Sequence, residues 1–487
     1  MISFNEIPIN LRTPGQYIEI DNSKALAGMV GISQKLLLIG QRLSTATQAK
    51  DTLARVVSNR DAETKFGQGS MLAEMLKSAR ANNPYTETWA VGLDDDAAGV
   101  AATGSIAFSG SISAAGTLAA WIGGTRVRVA VAADDEPADV ATNLKDAINA
   151  VGTLMVTATA ATATVTLLAR NKGLCGNEID VRVNYYPDDK LPAGLIVTIT
   201  AMDSGAANPD VADAIAALSD EQFDYIVMPY TDAANLSAME DELEDRWGPL
   251  RQIEGLCFTA ASGTSADLCT LGDSRNSQFV SILGTGKSPT WAPYCAAAYG
   301  AVAANYLNLD SARPLQTLKL TDMLAPARSE RFSQSERNML LYDGISTFVV
   351  DSGGDCFIER AITTYQENAS GAEDPSYLDV ETMATLAYIR TQVRTRISQV
   401  YPRHKLANDD TYVAAGQAVV RPKDIRSELI ALFLSMEKEG KVEGISQFKA
   451  DIVVERNETD LSRVDALIPP DLVGQFRIFA GQIQFRL

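Results

Sequence analysis

The stretch that most invites chemistry is "SILGTGKSPT", where an apolar strand-like run leads into Gly284, Gly286, Lys287 and Ser288. Glycines after a strand let backbone N–H groups approach a phosphate, and a lysine supplies the counter-charge. The spacing does not fit. In GxxxxGK the first glycine would fall at Ser281, and Pro289 interrupts the helix that should follow Ser288. A turn between strand and helix is the expectation, with a phosphate-binding α/β enzyme as the alternative. His404 is the sole histidine, so a catalytic triad or a His-containing zinc centre would have to form around it in "YPRHKLANDD", and no GxSxG elbow accompanies it. The acidic runs Asp94–Asp96 and Glu240–Asp245 lack the alternating ligands, glycine turn and distal glutamate of a calcium loop. Cys175, Cys257, Cys269, Cys295 and Cys356 are odd in number and form no CxxC pair, which reads as buried thiols, not as a disulfide framework or zinc site. No catalytic residue, metal site or cofactor is expected from these patterns.

With 487 residues, 46% of them hydrophobic, the chain can bury two to four domain cores. No apolar run is long enough to span a membrane. The opening "MISFNEIPIN" lacks the basic region and apolar core of a secretion signal, so a cytoplasmic protein is expected. Acidic residues outnumber basic ones 61 to 42, and a net charge of -19 repels nucleic acid and anionic membranes. One region runs against that balance. Between residues 388 and 430, Arg390, Arg394, Arg396, Arg403, Lys405, Arg421, Lys423 and Arg426 face only Asp409, Asp410, Asp424 and Glu428, a local +4. It is either a set of solvated helix faces with salt bridges or a docking face for an acidic partner.

The elements that would carry these residues divide the chain into an α/β core, an inserted mostly-β domain and a small α+β C-terminal domain. Residues 23–93 read as the first part of the core, with "KLLLIG" a buried strand, "GSMLAEMLKSARANNP" an amphipathic helix stopped by Pro84, and "TETWAVGL" a second strand. Residues 94–206, rich in Ala, Thr, Gly and Val, predict the inserted β-rich domain. Its strands are "SIAFSG", "TRVRVAVA", "TVTLLA", "IDVRVNYY" and "LIVTITAM", and its one helix is "EPADVATNLKDAINA". The core resumes over 207–365, where "FDYIVMPY", "GLCFTAA" and "QFVSILG" alternate with helices at 233–247 and 290–307, the pattern of a partly parallel sheet covered by helices. Residues 366–487 predict the final domain. It holds a helix over "LDVETMATLAYIRTQVRTRISQVY", a second helix capped by Asp424, and strands in "FKADIVVERN" and "SRVDALI".

Both termini read as extended β arms. Pro8 and Pro14 break any helix in residues 1–22, where Ile7, Ile9 and Leu11 alternate, as do Ile18 and Ile20. In "GQFRIFAGQIQFRL" the apolar positions are Phe476, Ile478 and Ala480, then, after Gly481, Ile483, Phe485 and Leu487. This is strand periodicity with one phase slip at a glycine, the mark of a bulge or bend. The part before the slip is expected to lie with its own domain, and the part after it to be offered to another subunit.

Four stretches together carry a resemblance: "NPYTETWAV", "ARNKGLCGNEIDVRVNY", "ITTYQENASGAEDPSYLDVETMATLAYIRTQVRTRISQVYPRHKLANDD" and "IPPDLVGQFRIFAGQIQFRL". They resemble the tail sheath protein of Mu-like contractile-tailed bacteriophages over most of the chain, with Cys175 the atypical position. The resemblance implies a virion structural protein, assembled in the host bacterial cytoplasm, with no enzymatic role. Its copies would form a homo-oligomer of six-fold stacked rings around the tail tube protein, meeting baseplate and tail terminator proteins, without direct nucleic-acid contact or membrane insertion. It also implies an inner domain from residues 1–22 and 366–487, with the core outside it and the insert outermost. The terminal arms would exchange strands between subunits. Arg390, Arg394, Arg396, Arg403, Lys405, Lys423 and Arg426 are the tube-facing candidates. Another self-assembling tail or surface protein is the structural alternative.

Overall fold

The computed structural model describes residues 34–186, 188–414 and 416–486. The proposed N-terminal strand residues Ile7, Ile9, Leu11, Ile18 and Ile20 lie outside the described residues, as does Leu487. Two compact units emerge, one from residues 34–387 with 474–486, the other from residues 388–473.

The larger unit begins with β1 (Lys35–Gln41), β2 (Leu53–Val56), α1 (Asn59–Phe66), α2 (Met71–Asn82) and β3 (Glu87–Leu93). Its middle holds β4 (Thr103–Ser109), β5 (Gly116–Ile122), β6 (Thr125–Val131), α3 (Pro137–Ala150), β7 (Val156–Ala161), β8 (Thr164–Ala169), β9 (Val181–Val183) and β10 (Ile196–Asp203). There follow α4 (Ala212–Leu218), β11 (Tyr225–Val227), α5 (Ala233–Trp247), β12 (Leu256–Ser262), α6 (Ser265–Asp273), β13 (Val280–Gly286) and α7 (Ala292–Leu309). Then come β14 (Lys319–Leu324), α8 (Gln334–Tyr342), β15 (Ile345–Val350), β16 (Asp355–Arg360) and the start of α9 (Val380–Val400).

A nine-stranded sheet in the order β14-β16-β15-β13-β12-β11-β1-β3-β2 forms the core of this unit. The strands from β3 through β1, β11, β12 and β13 to β15 run parallel; β2 pairs antiparallel with β3 at one edge, and β16 pairs antiparallel with both β15 and the edge strand β14 at the other. Parallel strands bury both faces, so β1 reads Leu-Leu-Leu-Ile where an antiparallel strand would alternate. Alanine-rich α7 packs closely on the sheet. A Cβ added at Gly300 would come within 2.4 Å of Val227, so the glycine is required for that approach. Ser70 caps α2 by accepting from the Ala73 amide, while Thr264 with Asp267 and Ser333 with Glu336 form capping boxes on α6 and α8.

Between β3 and β11 the chain forms two smaller sheets, β10-β4-β8-β7 and β6-β5-β9, with α3 burying Val140, Ala141, Leu144 and Ile148. Here the observed elements depart from expectation in two ways. Strands β5 and β7 are additional to the expected set: each carries two or more alanines, which favour a strand only weakly, and each is held by pairing, β5 with β6 and β7 with β8. The expected strand over "IDVRVNYY" shrinks to three residues because Asn184 turns into the left-handed region with φ 57°.

The smaller unit takes the rest of α9, then β17 (Lys405–Leu406), β18 (Val419–Val420), α10 (Pro422–Lys438), β19 (Val442–Glu443), α11 (Ile445–Asp451), β20 (Val453–Arg456), β21 (Val464–Leu467) and β22 (Asp471–Leu472). Its core joins Ile389, Leu429, Leu432, Phe433, Met436, Val442, Phe448 and Ile452, with the Phe433 and Phe448 rings stacked at 4.2 Å. Helix α10 begins at Pro422, not after Asp424. Proline suits the first turn, and Asp424 instead reaches back to accept from the Arg421 amide at 3.0 Å. Part of the expected "FKADIVVERN" strand is helical, because left-handed Gly444 starts α11.

Candidate functional site

The tempting loop at the end of β13 is closed to phosphate. Gly284, Thr285, Gly286 and Ser288 are buried. Thr285 Oγ1 donates to the Ala261 carbonyl at 3.1 Å and Ser288 Oγ to the Leu324 carbonyl at 2.6 Å. Ser281, the residue that breaks the motif, binds Tyr299, Ser346 and the Ile362 carbonyl. Lys287 points to Glu330 at 3.6 Å. This loop is a cross-brace of the core.

The other chemical candidates resolve similarly. Asp94 pairs with Arg42 at 2.7 Å, Asp95 accepts from Gln41 and Asn171, and Asp96 caps its own turn through the Ala98 amide. Of the α5 carboxylates, Glu240, Glu242 and Asp245 are engaged by Arg246, Arg251 and Arg275. Among the described residues no group of His, Cys, Asp and Glu could hold a metal. All five cysteines are free, and burial pushes the Cys356 thiol up to about 12. His404 lies exposed, its ring edge-on to Tyr401 at 5.3 Å.

What stands out instead is surface. Over residues 473–486 no strand pairing occurs among the described residues, and Phe476, Ile478, Phe479, Ile483 and Phe485 are each 74–93% exposed. A run of large apolar side chains left in water is unfavourable and marks a contact surface. Arg477 behaves differently. Its side chain is 12% exposed and donates to Asp379 and Glu381, each at 3.0 Å. The alternation of the segment carries no signal that pairs Arg477 with these two carboxylates.

The basic candidates sit in the smaller unit and do not form one uniform face. Arg396 is ion-paired with Glu428, Lys423 takes Asp409 through its backbone amide at 2.9 Å, and Arg426 donates to the Ile452 carbonyl at 3.2 Å. Arg390 and Arg394 lie on α9, both with interactions within the protein. Arg403 is exposed in the turn after α9 and Lys405 at the start of β17. The same unit carries the two-stranded ribbon β20-β21, whose Val453 and Leu467 are 46% and 63% exposed. The ribbon packs on the core of this unit through Val454 and pairs with no third strand among the described residues, so its edge groups can take one.

Residues 204–364 match the phage tail sheath protein central domain, and residues 372–486 the phage tail sheath C-terminal domain. The chain belongs to the phage tail sheath protein family, whose members are structural proteins and not enzymes. Within it, the chain is 46% identical over 486 residues to the Mu-like prophage FluMu tail sheath protein of Haemophilus influenzae, covering the full length of both. The resemblance carried by the four stretches is therefore borne out. The crystal structure of the sheath tail protein from Desulfitobacterium hafniense has the same fold, with TM-score 0.50 and 14% identity, covering 95% of this chain and 97% of that one. The sheath tail protein of Listeria innocua matches at TM-score 0.47 and 12% identity, over 93% and 95%.

Proposed function

We propose that this protein polymerises in stacked six-fold rings around a tail tube and contracts to drive the tube through a host envelope without hydrolysing nucleotide. The observation that carries the reading is the segment from Phe476 to Phe485, apolar, in strand periodicity and exposed. A strand added to a neighbour's sheet gains main-chain hydrogen bonds and fits alternate side chains into pockets, so an arm of this kind links subunits while leaving them free to rotate. The β20-β21 ribbon of a neighbouring copy is the receiving sheet, and residues 1–22 are a second arm.

Domains divide by role in this reading. Residues 1–22 and 366–487 form the inner, tube-side part, residues 23–93 and 207–365 the core, and residues 94–206 the outer part. Arg390, Arg394, Arg396, Arg403, Lys405, Lys423 and Arg426 face the tube. Arg403 and Lys405 contribute most, because both side chains are exposed. Exposed pairs are individually weak, which suits contacts that must break during contraction. Baseplate and tail terminator proteins meet the two ends of the polymer in the virion, and assembly takes place in the bacterial cytoplasm. Energy for contraction is stored when subunits assemble in a metastable extended state and is released as larger interfaces form. Electron microscopy of the purified protein tests this: hollow tubes are expected, and deletion of residues 476–487 abolishes them. A chain that stays monomeric in both forms contradicts the reading.

A further inference from the structure

We propose that Arg477 is a latch that fixes the root of the C-terminal arm to its own subunit, so that the exchanging strand begins at Ile478. This inference rests on the arm's role above and adds where the arm leaves the body. The socket for Arg477 is built on both sides of the α9 N-terminus. Glu381 has no exposed surface, presents one carboxylate oxygen to Arg477 at 3.0 Å and accepts from the Leu315 amide with the other at 2.8 Å. Asp379 takes Arg477 at 3.0 Å and is also held by the two-pronged Arg360 guanidinium at 3.0 and 3.2 Å.

Freeing Arg477 would leave the buried Glu381 carboxylate without its cation, which raises the cost of release, with Nη2 making both contacts. Every large apolar side chain of the arm is by contrast mostly in water: Phe476 on one side of the latch, and Ile478, Phe479, Ile483 and Phe485 on the other. One residue of the segment is thus committed to its own chain while the rest are uncommitted. A neighbour that grips the arm beyond Ile478 therefore pulls on the first turn of α9, and the latch sets the length of the link between subunits.

Trypsin digestion of the unassembled full-length chain, followed by intact mass, tests the latch. In the wild type the Arg477–Ile478 bond is cut on the order of tenfold more slowly than the bond after Arg463, whose side chain is 64% exposed. The double variant Asp379→Asn/Glu381→Gln raises cleavage at Arg477 on the order of tenfold and leaves Arg463 unchanged. Arg477→Lys, which trypsin also cuts and which reaches the socket with a single ammonium, gives an intermediate rate and serves if the double variant fails to fold. Equal cleavage at Arg477 and Arg463 in the wild type, or a rate at position 477 that Arg477→Lys does not move, overturns the latch. The digestion does not depend on assembly. Tubes that survive deletion of residues 476–487 would refute the arm's role while leaving the protease result to stand.

Discussion

Replacing Ile483 and Phe485 by aspartate should raise the critical concentration for sheath assembly without weakening the isolated chain. Ile483 is 93% exposed and Phe485 79%, so neither contributes to the folded subunit's own core. Seating each fully in a neighbour's pocket is worth about 1.5–3 kcal/mol, or about 3–6 kcal/mol for the pair. Ordering the arm residues offsets part of this, at about 1–2 kcal/mol for each fixed backbone unit, although main-chain hydrogen bonds of the added strand survive the substitution. Taking the lower figure, about 3 kcal/mol, the apparent association constant falls on the order of a hundredfold. Sedimentation over a concentration series reads the critical concentration, and thermal melting of the unassembled chain is the control. Unchanged melting with a critical concentration shifted less than about threefold would refute the idea that these side chains are buried between subunits.

Other outcomes follow from the same reasoning. Arg403→Glu with Lys405→Glu should weaken co-sedimentation with tail tubes while sheath polymerisation persists, and a stronger effect in low salt identifies the contact as electrostatic. ATP or GTP should not shift the melting temperature, because the 284–288 loop is closed by its own hydrogen bonds; a saturable shift would contradict that. Burial pushes Glu74 up from its ordinary value to about 7, against the opposing pull of Lys77. The unfolded chain therefore loses this proton first as pH rises, and folded stability declines from about pH 4.5 to about pH 7 by up to about 3 kcal/mol. Glu74→Gln should melt higher than wild type at pH 8 and lose less stability between pH 5 and pH 8; parallel pH profiles would contradict the assignment.

Elements with a single dominant cause were legible in the sequence. The apolar runs of β1, β12 and β13 announce buried parallel strands, and α2 and α3 show their faces through helical spacing. Elements defined by their neighbours were not: the alanines of β5 and β7 favour a strand only weakly and these strands are held by pairing with β6 and β8, while the edge strand β14 and its neighbour β16 follow no strong pattern. Asp424 misled because the proline two residues before it had the stronger claim on the helix start. The apolar segment after Gly474 was legible as a strand seeking a partner, yet nothing in its alternation revealed that Arg477 would find two carboxylates nearly a hundred residues earlier in the same chain. The basic stretch was legible as charge. Its division into cations engaged within the fold, such as Arg396, and exposed ones, such as Arg403, required the positions of Glu428 and the turn after α9.

If subunits are joined by their C-terminal arms, cryo-electron microscopy of tubes formed by the purified protein will show where each arm goes. Density for residues 478–486 should run as a strand on the β20-β21 ribbon of an adjacent subunit within six-fold rings. Tubes in which that segment folds back on its own chain, with the ribbon's edges uncovered, would rule out strand exchange through the C-terminal arm.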